Sequence, residues 1–184
     1  MTDAVRPESM QPIHEAVDDQ AFRGIIAPHL ASLRRLLYVL LNGNRHDMED
    51  VEQEVLLELC RNLRAFRLEC SLRTWVLRLG RNKAVDEIRK RTAGERTLRR
   101  AWTAETPQDP VAVVLRREQS ALVWMAFGRL APSDRELLLL KDVEGFPVEE
   151  VARVTGLPEG TVKSRLHRAR RKLFRLLGPE GGRA

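Results

Sequence analysis

From Phe22 onward, apolar residues return every three or four positions, the spacing that lines one side of an α-helix. Phe22, Ile25, Ile26, Leu30, Leu33, Leu36, Leu37 and Leu40 predict one or two helices, with Pro28 marking a start or a kink. Asn42-Gly43-Asn44 is turn chemistry. Met48, Val51, Val55, Leu59 and Leu63 then predict a helix from Asp47 to about Leu63. A short loop covers residues 66–70, and Ser71 is suited to cap a helix carrying Leu72, Trp75, Val76 and Leu79. Between Thr92 and Val111 the stripe is lost. Gly94, Thr103, Thr106, Pro107 and Pro110 stand there among charges, which reads as an interdomain linker despite the isolated Trp102. Helical spacing resumes with Val113, Leu122, Val123, Met125, Ala126, Phe127 and Leu130, and Pro132-Ser133-Asp134 opens another helix. No alternating run reads as a strand. The pattern predicts an all-α chain of two small helical domains on a flexible linker: a leader 1–19, a first unit 20–92, the linker 93–111, a second unit 112–178 and a tail 179–184.

The last stretch, residues 145–177, is the most distinctive. Val148, Val151 and Ala152 give a short helix its inner face, and Gly156 supplies the left-handed conformation of a sharp helix exit. Leu157-Pro158 connects to a second helix, where Val162, Leu166, Ala169 and Leu173 form one stripe. Ser164, His167, Arg168 and Arg171 project away from it, flanked by Lys163, Arg165, Arg170 and Lys172. A helix, a tight turn and a cationic second helix together read as a helix-turn-helix that enters the DNA major groove.

Composition agrees with a globular binding protein. The chain is 43% hydrophobic and 32% charged, and a net charge of +6 points to a polyanionic partner. No apolar run approaches the ~20 residues of a membrane span. The polar, acidic first twenty residues do not read as a secretory signal. Cys60 and Cys70 are too far apart for a CxxC pair and lack a second pair for a metal site, so they read as reduced cytosolic thiols. His14, His29, His46 and His167 are scattered without ligand spacing. With no metal cluster, Gly-rich phosphate loop or triad, the sequence reads as non-enzymatic and without a cofactor.

Two further segments narrow the reading. In residues 47–59, with Met48, Val51, Val55 and Leu59 turned inward, the outer side carries Asp50, Gln53, Glu54 and Leu57. An apolar anchor in a polar rim is the composition of a docking surface. Residues 66–91 then mix Phe66 and Arg67 in a loop with Arg81, Asn82, Lys83 and further cations over one helix. Single-stranded nucleic acid is held this way, bases in pockets and cations along the phosphates. Trp75 shares the apolar stripe with Leu72 and Leu79 and reads as core.

These segments resemble a known family. DMEDVEQEVLLEL resembles the core-polymerase-binding helix of the bacterial sigma-70 family, in its group 4, extracytoplasmic-function branch. SLRTWVLRLGRNKAVDEIRKR resembles the helix that handles the −10 promoter element, and the stretch from LAPSDRELL to GTVKSRLHRARRKL resembles the −35-reading domain. The resemblance covers about Phe22 to Leu177. It implies a cytoplasmic, non-catalytic initiation subunit that binds RNA polymerase core enzyme, recognises −10 and −35 elements, and is held by an anti-sigma factor without inserting in a membrane. Carried over residue by residue, Asp47, Asp50, Gln53, Glu54 and Leu57 would dock on the polymerase clamp helices. Phe66, Arg67, Arg81, Asn82 and Lys83 would capture a flipped −10 base and its phosphates. Lys163, Ser164, Arg165, His167, Arg168 and Arg171 would meet the −35 duplex, base edges in the middle of the helix and phosphates at its flanks.

The chain also departs from the pattern. Glu52 stands where relatives carry a small or apolar residue, Leu56 replaces a frequent Phe, and the loop 67–70 lacks a Gly that many relatives have. Two other classes fit the C-terminal pattern alone: a helix-turn-helix regulator acting without polymerase, and a recombinase-like enzyme with a DNA-binding module. The first has no use for the 47–59 helix followed by residues 66–91, and the second would need the metal cluster, phosphate loop or triad that the sequence lacks.

Overall fold

The computed structural model describes residues 19–63, 66, 68–94 and 121–178; the leader, Arg67, Trp102, most of the linker, Val113 and the tail lie outside them. All regular structure among the described residues is helical. The first half is three helices, α1 (Asp19–Leu40), α2 (Arg45–Asn62) and α3 (Leu72–Gly94). The second is α4 (Ala121–Gly128), α5 (Pro132–Leu138), a wide turn Leu139–Val143, α6 (Val148–Thr155) and α7 (Glu159–Leu177).

Pro28 neither starts nor breaks a helix: α1 runs through it. The carbonyl that proline leaves without a donor belongs to Gly24, four residues back and exposed, so water can satisfy it. The apolar stripe of α1 is buried at Ile26, Leu33, Leu36, Leu37 and Leu40, and α2 turns Met48, Val51, Val55 and Leu59 inward as the spacing predicts. Ser71 caps α3, its Oγ accepting from the Thr74 amide at 3.1 Å. Where α1 crosses α3 the helices meet at Gly80, and a Cβ there would lie 2.3 Å from a methyl of Leu33. Any side chain at that crossing would have to displace the buried Leu33 methyl.

In the second half Val162, Leu166 and Ala169 of α7 are buried against α5 and α6. Gly156 ends α6 at φ 70°, its amide returning to the Ala152 carbonyl at 2.8 Å. The wide turn was not legible in the sequence. There the Glu144 amide bonds the Leu139 carbonyl at 2.9 Å and the Phe146 amide bonds the Leu140 carbonyl at 3.0 Å. These longer loops of chain swing Glu144 and Phe146 to the inside, where both are buried.

The two halves are not held apart. α3 packs on α6 and α1 packs on α5, and the buried apolar side chains of both halves form one connected cluster.

Candidate nucleic-acid and polymerase interfaces

The outer face of α7 is built by the stripe on its other side. With Val162, Leu166 and Ala169 buried, the 100° step per residue leaves Lys163, Ser164, His167, Arg168 and Arg171 exposed. Their contacts are local. Lys163 lies 3.8 Å from Glu159, and the Ser164 hydroxyl donates to the Thr161 carbonyl at 3.0 Å. Arg165 and Arg170 turn back on their own half. Arg165 donates to Ser133 and lies 3.5 Å from Asp134 at the start of α5, while Arg170 pairs with Asp142 at 2.5 Å. Arg165 thus ties α7 to α5 in this conformation and does not join the exposed face.

On α3 the consecutive Arg81, Asn82 and Lys83 point in three directions. Asn82 is exposed. Lys83 reaches back to α2, 2.9 Å from Glu58 and 3.6 Å from Glu54, and the Glu58 hydrogen bond raises its pKa. Arg81 faces the second half, its Nε 2.5 Å from the buried Glu136 carboxylate. Phe66 packs on Trp75 with ring centroids 5.1 Å apart, tilted by 33°. Trp75 is half-buried against the core, as its place on the stripe predicts, and it backs Phe66. Leu68 in the same loop takes φ 59°, a left-handed conformation filled here without glycine.

On α2 the predicted outer face is open. Asp50, Gln53 and Glu54 are exposed, and Leu57 keeps 58% of its surface in solvent, while Asp50 carries a 3.2 Å contact from His46. Asp47 does something else. It accepts from Asn44 at 2.7 Å and pairs with Arg91, tying the start of α2 to the end of α3. The unusual Glu52 is bound by Arg34 of α1 through both carboxylate oxygens, at 2.7 to 3.0 Å. Its charge is therefore paired on the surface of the first half.

Sequence reading missed a polar group at the junction of the halves. Glu144, with 1% of its side chain exposed, accepts from the Ser32 hydroxyl at 2.7 Å and pairs with Arg35 and Arg73. Arg73 also donates to the Glu144 carbonyl at 3.0 Å and lies over the Phe146 ring, 4.4 Å from its centroid. Burial alone would raise the Glu144 pKa, but hydrogen bonds from Arg35 and Ser32 and the charges of Arg35 and Arg73 hold it below the usual glutamate range. Thr74 donates to Glu150 beside it. Glu136 is the opposite case, pushed up by burial although Arg81 faces it. Arg135, also buried, donates to Asn42 in the α1–α2 turn, and burial lowers it to about 10. One signal was available: Ser32 sits on the buried stripe of α1 beside Leu33, and a polar residue there needs a partner.

Among the described residues no group of His, Cys, Asp and Glu gathers that could hold a metal ion, and no helix is long and apolar enough to cross a membrane. Cys60 and Cys70 are free thiols, exposed and half-buried.

Comparison with known proteins joins these parts. The family described as Sigma-70 region 2 matches residues 25–94, and Sigma-70, region 4 matches residues 120–173. The ECF RNA polymerase sigma factor SigM of Mycobacterium tuberculosis is 31% identical over 169 residues, 90% of this chain and 81% of that protein. SigW of Bacillus subtilis is 28% identical over 172 residues, 87% of this chain and 90% of its own length. Among solved structures, CnrH in complex with the cytosolic domain of CnrY shares 26% identity at a TM-score of 0.59, covering 88% of this chain and 91% of that one. The fold also matches the sigma factor RpoE of Bartonella quintana, crystallised with the anti-sigma factor NepR, at a TM-score of 0.67 and 23% identity, over 88% and 99% of the two chains. α1 to α3 fall within region 2 and α4 to α7 within region 4, and the chain belongs to the extracytoplasmic-function branch of the sigma-70 family of RNA polymerase sigma factors.

Proposed function

We propose that this chain is the promoter-recognition subunit of a bacterial RNA polymerase: it docks on core enzyme through α2, opens and holds the −10 strand near α3, and reads the −35 duplex with α7. The observation that carries this reading is the unburied Leu57 among Asp50, Gln53 and Glu54. A regulator acting on DNA alone has no use for an apolar anchor with a polar rim on its other half. In this reading one unit, 20–92, serves core and −10 binding and the other, 112–178, serves −35 binding.

Within that scheme Asn82 and Phe66 serve the −10 base. Phe66 offers an aromatic face backed by Trp75, and Asn82 offers an amide free to hydrogen-bond. Lys163, Ser164, His167 and Arg168 meet −35 base edges, and Arg171 meets phosphate. A protein partner that covers these faces fits the same reading, and CnrH is found in complex with the cytosolic domain of CnrY. The site of action is the cytoplasm, where the polymerase works.

Run-off transcription with purified core polymerase on the promoter upstream of the chain's own gene tests the proposal. Addition of the chain should yield a discrete transcript. The Asp50→Arg, Gln53→Arg double variant should lose both the transcript and co-purification with core while keeping its helical content. DNA binding with no effect on polymerase would leave a stand-alone regulator as the function.

A further inference from the structure

Gly43, Gly145, Gly156 and Gly178 take positive φ, and Gly80 meets the approach of Leu33. Gly24 and Gly160 have neither reason to be glycine. Each lies inside an α-helix without a positive φ, and a Cβ on either would meet nothing within 4 Å. Within a helix glycine is unfavourable, the poorest former after proline. The fold gains nothing from it at these two positions.

Gly160 differs from Gly24 in the face it shares. Val162, Leu166, Ala169 and Leu173 line the inner side of α7. On the outer side Gly160, Ser164, His167 and Arg171 repeat the same spacing, and all four are exposed. Their side chains lengthen along the helix, from none through a hydroxymethyl and an imidazole to a guanidinium on three methylenes. The outer face is a wedge, thinnest at its N-terminal end. Its neighbours leave that end clear: Glu159 and Lys163 pair with each other at 3.8 Å, and the Ser164 hydroxyl turns back to the Thr161 carbonyl at 3.0 Å.

A helix with its side chains is about 10–12 Å across and the major groove about 12 Å wide, so the fit has little slack. What stands on the leading turn then decides how far the helix sinks. A gap of ~0.5–1 Å already forfeits a quarter to a half of a van der Waals contact. Hydrogen bonds further along the face lengthen by the same step and weaken with it.

We infer that Gly160 is a positioning residue for the duplex: its bare backbone lets the first turn of α7 seat against the sugar–phosphate wall of the major groove, and so sets the depth at which the whole outer face engages. This role rests on the reading of α7 as the −35 helix. Depth governs every contact on the face at once, so a side chain at Gly160 weakens all sequences alike and leaves base preference unchanged.

Two readouts that a packing residue would move together should part here. In the full chain Gly160→Ala and Gly160→Leu should raise the melting midpoint by about 2 °C, since alanine and leucine are both better helix formers. Affinity for a labelled duplex of about thirty base pairs from upstream of the chain's own gene should fall, about threefold for alanine and about tenfold for leucine. Single-base variants of that duplex should lose affinity by the same factors. Gly24→Ala makes the same exchange on α1 and should raise the midpoint with affinity unchanged. Unchanged or tighter binding by both Gly160 variants overturns the positioning role. A lowered midpoint does so too, because the fold itself would then need the glycine. A loss confined to some base variants also overturns it, since the turn would be reading a base edge. Arg168→Ala and Arg171→Ala keep the two readings separable. If neither weakens binding, α7 is not the DNA-binding helix and both readings fall; if they weaken it and the Gly160 variants do not, only the positioning role falls.

Discussion

Two carboxylates of the second half, Glu136 and Glu144, shift in opposite directions from the ordinary glutamate value, and the difference is a matter of donors. Glu136 is heavily buried and hydrogen-bonded by Arg81 alone, with Arg165 acting only through its charge. Glu144 lies less deep and is hydrogen-bonded by Arg35 and the Ser32 hydroxyl, with the charge of Arg73 beside it. The raised Glu136 contributes stability below its unfolded value near 4.3 and loses it as pH rises through its folded pKa. The depressed Glu144 contributes above that unfolded value and loses it only as pH falls through its own, more acidic pKa. Urea unfolding from pH 7 downward should therefore show the gap between the parent chain and Glu136→Gln changing first, just above the usual glutamate range. The gap to Glu144→Gln should persist until more acidic pH. The cations of α7 sort in the same way. Arg171→Ala should lower the salt slope of −35 binding by about one without changing base preference, and Arg168→Ala should relax preference by ~1–3 kcal/mol. Arg165→Ala, which cuts the tie to Ser133, should lower stability and leave the slope nearly unchanged. A filter-binding titration over several salt concentrations reads the slopes. Periodicity alone could put Arg165 on the flank of the helix; it could not say that α5 would claim its guanidinium.

Elements were legible where one side of a helix is buried and the other wet. α2 and α7 follow their stripes residue by residue, and Gly156 closes α6 because only the left-handed turn lets the second helix leave so sharply. α1 was legible as a face but not as one piece, since Pro28 is read as a breaker wherever the environment of the freed carbonyl is unknown. The α1–α3 crossing shows the same limit. Gly80 lies in a helix that glycine would otherwise weaken, and only the approach of Leu33 explains it. Gly80→Val should lower stability by about 1–3 kcal/mol, as overpacking does, although valine is the better helix former. Thermal denaturation followed by circular dichroism measures it; an unchanged or raised midpoint would mean that the helices have room to part. The wide turn at Leu139–Val143 left no trace in the pattern because the run Leu137–Leu140 that enters it is apolar and buried throughout, so no periodicity marks where the winding changes.

At the scale of the whole molecule, the prediction of two helical units agrees with the family matches to residues 25–94 and 120–173. Their direct packing was invisible, since a pair such as Ser32 and Glu144, 112 positions apart, has no periodicity to betray it. The 26 residues 95–120 set a covalent ceiling of roughly 90 Å on how far the halves can part. The shared apolar cluster has a consequence for how the chain melts. Two bodies joined only by a tether unfold as two events, each with its own heat, whereas a core that runs through both ties their fates. Scanning calorimetry should accordingly give a single endotherm whose calorimetric and van't Hoff enthalpies agree. In any complex that divides that core, the same sequence should melt in two steps, so the number of transitions counts how many proteins this one chain is at a given moment.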